Sequence, residues 1–234
     1  GHYALLPLQC FQIRQCVDAF RLMAQARHVG KVVINNPDAG TATAAAIRPD
    51  ATYLITGALG GIGLQLCRWL ADQGATALLL VARSAADPAP EARRELEELG
   101  RRGVRCTLIA CDLAAAGGDG ALAAALAALP PEQPLRGVFH AAGVLQDALL
   151  ASQTPASLAA VMAPKLEGWL RLRRLLSRGG ARPFVVQFSS MAALLGSPGQ
   201  SNYGAANGAL DALAAAAAAA GDPELGPQLA VQWG

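Results

Sequence analysis

The feature that most constrains the fold is a glycine-rich turn between an apolar run and a helical pattern. Residues 53–55 are apolar, residues 56–63 read Thr-Gly-Ala-Leu-Gly-Gly-Ile-Gly, and a helix-length amphipathic segment follows. The glycines alone fit an ordinary turn, but a strand before them and a helix after them favour a βαβ unit that holds a pyrophosphate. Gly57 then permits the tight turn, Gly61 admits the phosphates, and Gly63 lets the helix pack on the strand. The predicted nucleotide-binding residues of this loop are Gly57, Leu59, Gly60, Gly61, Ile62 and Gly63.

Around and beyond this loop, short apolar runs alternate with longer amphipathic segments. The runs predict strands at 53–55, 77–81, 104–110, 138–139, 184–188 and 229–233. The segments between them predict helices at 62–73, 90–102, 120–129, 155–177 and 202–220. Apolar strands that alternate with helices form parallel sheets that are covered on both sides. We therefore predict an α/β fold, a Rossmann-like doubly wound parallel sheet with helices on both faces.

The first 50 residues differ from the rest of the chain. Cys16, Phe20 and Met23 recur at helical spacing, and residues 31–34 follow as a short strand pattern. Residues 37–50 contain two prolines, a glycine and many small side chains, which is typical of a linker. The predicted divisions of the chain are 1–36, a linker at 37–50, and the α/β domain at 51–234.

Composition excludes several classes of protein. Hydrophobic residues make up 53% and charged residues 15% of the chain, which excludes general disorder. The net charge of +2 without a basic cluster argues against a nucleic-acid partner. No apolar run reaches the ~20 residues of a membrane span, so we predict no membrane partner. The five cysteines match no zinc-ligand spacing, so we predict no metal site, reduced thiols and a cytoplasmic location.

The residues after the second predicted strand of the α/β domain decide between the two nicotinamide cofactors. An NAD site usually carries an acidic residue about 20 positions beyond the glycines, where it binds the ribose 2′-hydroxyl. Here that place holds Arg83 and Ser84, and the next acid is Asp87. A guanidinium forms charge-assisted, forked hydrogen bonds with a phosphate, so we predict NADPH. The alternative is a solvated surface arginine.

Two further segments end predicted strands at the same edge of the sheet. Asp112 can accept a hydrogen bond from the adenine amino group, or it can cap a helix. The small residues after His140 let the backbone lie against a nucleotide, and His140 itself is interpreted as a hydrogen-bonded structural residue rather than a catalyst. These segments add to the predicted cofactor site Asp112, Leu113, Ala141, Ala142 and Gly143.

Four polar residues fit a site that donates a proton. Ser190 ends a strand, Tyr203 begins a helix 13 positions later, Asn207 lies one turn beyond it, and Lys165 belongs to an upstream helix. Hydride transfer to a ketone leaves charge on oxygen, and a free phenol, with a pKa of about 10, is a poor acid unless an ammonium lies nearby. We therefore predict that Tyr203 is the acid and that Lys165 activates it and, like Tyr203, contacts the cofactor. Ser190 would bind the carbonyl and Asn207 a water. Singly, these residues also fit a helix-start tyrosine, a surface serine and a solvated lysine.

With these residues, 51–234 resembles the catalytic half of a ketoreductase domain of polyketide synthases, of the short-chain dehydrogenase/reductase type. The segments that carry the resemblance are the glycine loop, His-Ala-Ala-Gly-Val at 140–144, Lys165, Ser189 and Ser190, and the stretch 196–207. Most free-standing members of that class have Lys four residues after the tyrosine. This chain has Asn207 there and Lys165 upstream, an exchange that is typical of the synthase ketoreductases.

The resemblance implies a reaction and its partners. The expected substrate is a β-ketoacyl thioester on the phosphopantetheine arm of an acyl carrier protein, which NADPH reduces to the β-hydroxyacyl thioester. Family members continue past the last strand seen here and pair with a structural half, so the resemblance implies that 51–234 is incomplete at its C-terminus.

Stereochemical markers of the family can be placed as well. Ketoreductases that form a D alcohol usually carry Leu-Asp-Asp after the His-Ala-Ala-Gly segment, and this chain has Leu-Gln-Asp at 145–147. The opposite class usually has Trp eight residues before the tyrosine, where this chain has Leu195. The resemblance therefore implies a D alcohol. The residues expected to control the configuration are Leu145, Gln146, Asp147, Leu195, Pro198 and Asn202.

Residues 1–36 resemble the end of an enoyl reductase domain of the same synthases, through the stretch 19–33. That domain's nucleotide loop and catalytic residues are not in this chain, so the resemblance implies an enoyl reductase neighbour and no enoyl reduction here.

Two other interpretations of the chain's function stay open: a non-catalytic ketoreductase-like scaffold, and a stand-alone reductase of small ketones. The complete set of four polar residues argues against the first. The enoyl reductase segment and the absent initiator Met argue against the second.

Overall fold

A computed structural model describes residues 8–25, 29, 31–35, 47–115 and 117–233 of the chain. The chain divides into two units, Gly1–Ala46 and Ile47–Gly234. Most of the predicted linker lies outside the described residues, which include only its last four positions, 47–50.

The first unit contains a small parallel sheet. Strand β1 (Leu8–Gln12) leads through a single 3₁₀ turn into helix α1 (Cys16–Ala24), and strand β2 (Lys31–Asn35) pairs with β1 in parallel. The helix and the second strand agree with the spacing in the sequence. Strand β1 was not predicted, because a five-residue run with two glutamines lacks an alternating pattern and is defined by its pairing with β2.

The second unit is built on a six-stranded sheet in which every pair of neighbours is parallel. In chain order its strands are β3 (Thr52–Thr56), β4 (Ala77–Ala82), β5 (Arg105–Ala110), β6 (Leu135–His140), β7 (Phe184–Ser190) and β8 (Gln228–Trp233). In space their order is β5-β4-β3-β6-β7-β8. The chain thus builds outward from β3 on one side and then crosses over to continue from β6. Ligands of such sheets bind at this reversal, outside the carboxyl ends of the strands.

Helices cover both faces of this sheet, which confirms the predicted doubly wound α/β fold. They are α2 (Gly61–Asp72), α3 (Pro90–Arg101), α4 (Gly120–Ala127), α5 (Pro155–Met162), α6 (Gly168–Arg178), α7 (Met191–Leu195) and α8 (Ser201–Ala220). Neighbouring residues of β3 pack into the hydrophobic cores on opposite faces of the sheet, as the two-residue period of a strand requires. Tyr53 and Ile55 pack with α2 and α3, whereas Leu54 packs with α4, α6 and α8.

The long helix predicted at 155–177 is interrupted. A π turn over Ala163–Glu167 separates α5 from α6. The prediction of one continuous helix was therefore wrong in this detail, since apolar periodicity does not report a single wide turn. Pro164, which has no N–H to donate, lies inside the interruption.

Helix α8 is anchored differently at its two ends. Its buried residues are Asn202, Ala206, Asn207, Leu210 and Ala214, and no described residue of the helix after Ala214 is buried. Beyond the helix, Asp222 accepts hydrogen bonds from Arg173 at 3.1 Å and from Gln228 at 2.8 Å.

None of the helices within the described residues is both long and apolar enough to cross a membrane.

Candidate active site

The strand ends at the reversal point surround a cavity of about 790 Å³. It is lined by the glycine loop after β3, the end of β4, the turn after β5 and the loop after β6. The predicted cofactor residues that line it are Gly57, Leu59, Gly60, Gly61, Ile62, Gly63, Arg83, Ser84, Asp112, Leu113, Ala141, Ala142 and Gly143. The lining residues that the sequence reasoning missed are Thr56, Val81, Ala82, Cys111, Ala114, Val144 and Pro164. All of them except Val81 directly adjoin a residue that the sequence did single out, and Val81 lies two positions before Arg83, so proximity to a strand end was the available signal.

Two glycines of the loop are required by close backbone approaches. Gly57 has a φ of +67°, and a Cβ there would lie 2.8 Å from the Ala141 carbonyl oxygen. A Cβ on Gly63 would overlap the Gly57 carbonyl oxygen. A Cβ on Gly61, by contrast, would meet nothing within 4 Å. Helix α2 begins at Gly61 without a side-chain cap, so the N–H groups of its first turn are left for an anion.

Arg83 and Ser84 lie exposed at the end of β4. Within the described part of the chain, the Arg83 guanidinium has no hydrogen-bond or ion-pair partner. An arginine at a cavity without a protein partner is free to bind an anionic group of a ligand.

Asp112 caps a turn rather than a helix. Its Oδ1 accepts a hydrogen bond from the Ala114 N–H at 2.9 Å, and helix α4 begins only at Gly120. The helix-capping alternative is therefore wrong in its detail, because the carboxylate stabilises the turn that directly follows β5. Arg171 of α6 also holds this turn through the Leu113 carbonyl at 3.0 Å.

Lys165 reaches from the π turn to the sheet. It is 3% exposed, and its ammonium donates to the Phe188 carbonyl of β7 at 2.8 Å. The same nitrogen lies 5.5 Å from the centre of the Tyr203 ring. Two predicted catalytic residues from separate helical segments thus lie together at the carboxyl edge of the sheet. Neither Lys165 nor Tyr203 lines the cavity itself. Lys165 lies directly behind the cavity wall, however, because Pro164 and Gly143 line the cavity, and a Cβ added to Gly143 would lie 3.1 Å from Lys165 Cε.

Asn207 lies one helical turn after Tyr203, as predicted from the spacing. Its Nδ2 donates to the Tyr203 backbone carbonyl at 2.8 Å. Its Oδ1 is buried and has no hydrogen-bond partner within the described residues. A buried acceptor in this condition costs about 1–3 kcal/mol unless a water satisfies it. The amide is therefore suited to hold a water.

Ser190 ends β7 and caps α7. Its Oγ accepts from the Ala192 N–H at 3.1 Å, which leaves the hydroxyl proton for an external acceptor. The neighbouring Ser189 is buried and donates to the Asn207 carbonyl at 3.3 Å. The strand that carries Ser190 is thereby tied to the helix that carries Tyr203.

The residues predicted to control configuration lie in two places: residues 145–147 belong to the loop after β6, and the others lie between the end of α7 and the start of α8. Asn202 is 2% exposed; its Nδ2 donates to the Gln146 carbonyl at 2.8 Å, and its Oδ1 accepts from the Tyr203 N–H at 2.8 Å. Gln200 donates to the Asp147 carboxylate at 3.0 Å. These bonds hold the loop against the start of the tyrosine's helix. The exposed members of the set are Leu145, Gln146, Asp147, Leu195 and Pro198.

Because Lys165 is buried, its protonation makes the stability of the fold depend on pH. Loss of solvation lowers the pKa of its ammonium to about 8, and the Asp211 carboxylate opposes this to a smaller extent. The unfolded lysine has a pKa near 10.4, so between about pH 8 and pH 10 the unfolded chain binds more protons than the folded one. The free energy of unfolding must therefore rise with pH in that window on account of this group.

We predict that Lys165→Met abolishes this rise, which amounts to roughly 3 kcal/mol across the window. The measurement is urea unfolding of the wild type and the variant at several pH values from about 7 to about 10. Other groups that titrate there contribute to both proteins, so the difference between the two curves isolates Lys165. Parallel curves for the two proteins would contradict the prediction.

Comparison with known proteins gives consistent matches. A family model described as the KR domain matches residues 51–234. Polyketide synthase GfsB of Streptomyces halstedii is 42% identical over 210 residues, which are 89% of this chain and 4% of that protein. Mycoketide-CoA synthase of Mycobacterium tuberculosis is 40% identical over 230 residues, which cover 98% of this chain and 5% of that protein. The chain thus spans a small part of the length of these relatives.

Solved structures agree in fold and in sequence. A structure described as A-type ketoreductases from a modular polyketide synthase matches with a TM-score of 0.71 and 43% identity, over 80% of this chain and 38% of that one. The first ketoreductase of the tylosin polyketide synthase matches with a TM-score of 0.69 and 41% identity, over 84% of this chain and 41% of that one. Both matches thus combine a shared fold with a sequence identity above 40%.

Proposed function

This chain belongs to the KR domain family, the ketoreductase domains of polyketide synthases, and from that we propose that it reduces a β-ketoacyl thioester to the β-hydroxyacyl thioester with NADPH. The family makes the chain an oxidoreductase domain that acts on a β-keto group. The observation that carries the finer proposal is the position of the Lys165 ammonium, 5.5 Å from the Tyr203 ring centre, at the sheet edge that also holds the glycine-loop cavity.

The residues around the cavity fit a nicotinamide dinucleotide. Gly57 and Gly63 bring backbone together where any side chain would clash, and α2 offers uncapped N–H groups to a pyrophosphate. Arg83, without a partner among the described residues, supplies a cation for a 2′-phosphate, and Lys165 with Tyr203 would contact the nicotinamide ribose. When bound, the cofactor supplies the hydride.

The protein's own residues manage the proton and the carbonyl. Tyr203 donates its hydroxyl proton to the substrate oxygen as charge develops there. The Lys165 ammonium favours the phenolate that remains. Ser190 donates a hydrogen bond to the same oxygen and orients the carbonyl toward Tyr203. The Asn207 Oδ1, which has no partner within the described residues, holds a water through which the proton on Tyr203 is replaced.

The substrate we propose is an acyl chain on the phosphopantetheine arm of an acyl carrier protein. The support is the synthase membership of the relatives, and leucines that lie exposed in the loop after β6 and in α7 and suit an acyl chain. These leucines are Leu145, Leu149, Leu150, Leu194 and Leu195. The neighbours we propose in the parent protein are an enoyl reductase, from the residues at 19–33, and a structural ketoreductase half.

For the product we propose the D configuration. Support comes from Asp147 at the third position of the Leu-Gln-Asp segment and from Leu195 at the place of the marker tryptophan. Gln200 and Asn202 hold this segment near Tyr203. Chiral separation of the hydroxy thioester tests this point, and a mainly L product overturns the configuration while leaving the reduction in place.

The reaction is tested by following loss of NADPH fluorescence with the N-acetylcysteamine thioester of 3-oxobutanoate and, in parallel, with cyclohexanone. We expect turnover of the thioester, with a higher kcat/KM than the cyclic ketone. Turnover of the ketone alone would support a stand-alone reductase of small ketones. NADPH binding without turnover of either compound would support a scaffold.

The cofactor preference is tested at Arg83. We predict that Arg83→Ala weakens NADPH binding by about tenfold or more, because a charge-assisted bond to the 2′-phosphate is lost, and leaves NADH binding unchanged. The matched control is Arg94→Ala, at another exposed arginine, on α3. Fluorescence titration with both nucleotides gives the dissociation constants. Equal losses for NADPH and NADH would show that Arg83 does not recognise the phosphate.

A further inference from the structure

A buried histidine that the proposed chemistry does not use lies at the end of β6. His140 is 0% exposed and pairs in register with Thr56 of β3, which is 1% exposed. Its Nδ1 lies 2.8 Å from Thr56 Oγ1, and its Nε2 lies 2.9 Å from the Lys165 carbonyl oxygen. The imidazole therefore links two central strands to the π turn that carries Lys165.

The partners fix the direction of every bond. A carbonyl oxygen only accepts, so Nε2 carries the hydrogen and donates to Lys165. Burial lowers the pKa of His140 to about 4, so the ring is neutral near neutral pH and Nδ1 carries no hydrogen. Nδ1 therefore accepts from the Thr56 hydroxyl, and the Thr56 oxygen accepts in turn from the Ala142 N–H at 3.2 Å. The result is a one-way chain from Ala142 through Thr56 and His140 to Lys165 that leaves none of these groups unpaired.

Both ends of the chain lie in the site. Ala142 lines the cavity beside Gly57, where an added Cβ would lie 2.9 Å from the Ala142 nitrogen. Lys165 is held at two points, its carbonyl by His140 and its ammonium by the Phe188 carbonyl. A shift of the carbonyl in the π turn would move the ammonium relative to Tyr203.

We infer that Thr56 and His140 are positioning residues. Their hydrogen-bond chain holds Lys165 next to Tyr203 and fixes its position relative to the backbone of Ala142 at the cofactor cavity. The inference rests on the proposed function for its catalytic meaning, whereas the hydrogen-bond chain itself is testable without cofactor or substrate. A histidine that serves only the stability of the core is the competing explanation, and the kinetic experiments below distinguish it from a positioning role.

The first experiment measures the tautomer of His140 by long-range ¹H–¹⁵N correlation NMR of the full chain without cofactor. The chain has three histidines, and the signals lost in His140→Phe identify the ring. We expect the tautomer with hydrogen on Nε2 and a bare Nδ1. Hydrogen on Nδ1 would overturn the inference, because the ring then donates to Thr56 and leaves the Lys165 carbonyl without it.

The second experiment compares two substitutions of Thr56. Thr56→Val keeps the shape but removes the hydroxyl, so Nδ1 loses its donor and the Ala142 N–H its acceptor. We expect kcat to fall about tenfold while KM for the thioester stays within about twofold. Thr56→Ser keeps the hydroxyl and should restore most of kcat. Equal kcat in Thr56→Val and the wild type, or equal losses in both variants, would overturn the inference.

A double-mutant cycle tests whether the two residues act as one unit. If they do, kcat of Thr56→Val/His140→Phe should fall little below that of His140→Phe alone. Fully additive losses would overturn the inference.

If a variant fails to fold, the tautomer of the wild type still decides the direction of the bonds. A wild type that reduces no thioester but shows the expected tautomer would refute the proposed function and leave the hydrogen-bond chain standing.

Discussion

Replacing Tyr203 by Phe is expected to lower kcat for thioester reduction by about 10²–10⁴-fold and to leave NADPH binding nearly unchanged. The ring stays against the Lys165 ammonium, and only the hydroxyl that donates the proton is lost. Since the proton transfer belongs to the transition state, the loss should fall on kcat rather than on binding of the cofactor. Fluorescence titration gives the NADPH affinity, and the thioester assay gives kcat.

Tyr53→Phe is the matched control for this substitution. Tyr53 is fully buried in the core on β3, and its hydroxyl accepts a hydrogen bond from the Arg48 N–H at 2.7 Å. Its replacement also removes a phenolic hydroxyl, but at a place without contact to the proposed chemistry, and should cost only about 1 kcal/mol of stability. If Tyr203→Phe keeps a kcat close to that of Tyr53→Phe, Tyr203 is not the acid.

The Gly63→Ala substitution is expected to lower the melting temperature by about 5–10 °C and to abolish measurable nucleotide binding. A Cβ at this position overlaps the Gly57 carbonyl oxygen and the backbone of Ala58. The neighbours are main-chain atoms and have no other rotamer to adopt, so the loop itself must move. That movement displaces the N-terminus of α2, on which the phosphates depend.

Gly61→Ala is the control for the fold in this experiment. Gly61 is the first residue of the same helix, and its Cβ would meet nothing within 4 Å, so the melting temperature should stay near that of the wild type or rise slightly. Thermal unfolding of both variants without nucleotide separates the two effects. Equal melting temperatures for Gly63→Ala and Gly61→Ala would contradict the close packing argued here.

The sequence was informative where local backbone chemistry decides the structure. Apart from the short helix α7, which was not predicted, and the break within 155–177, the strands and helices of 52–233 lie near their predicted positions, because apolar periodicity and glycine positions report burial and turns directly. The residues predicted to bind the cofactor through the glycine loop line the cavity for the same reason, since they follow the end of a strand. The spacing of Tyr203 and Asn207 predicted a shared helical face, and the structure joins the two by a hydrogen bond.

Features that depend on distant partners were not predicted. The π turn at Lys165 and the bond from Asn202 to Gln146 arise from packing between elements far apart in the chain. The His140 chain joins three segments, so no local pattern encodes it. The burial of Gln187 on β7 was not predicted either, and both its amide atoms lack partners within the described residues.

The unequal anchoring of α8 has a consequence for the entropy of the site. The helix that carries Tyr203 continues through seven successive alanines, 214–220, and alanine has no rotamers to lose when a chain becomes ordered. That half of the helix can therefore stay regular with little burial, between Leu210 on one side and the carboxylate of Asp222 on the other. We therefore expect thermal fluctuations to concentrate in the alanine span, away from Tyr203. The end of the helix that carries Tyr203 would then keep a narrow conformational distribution without the rest of the helix being rigid.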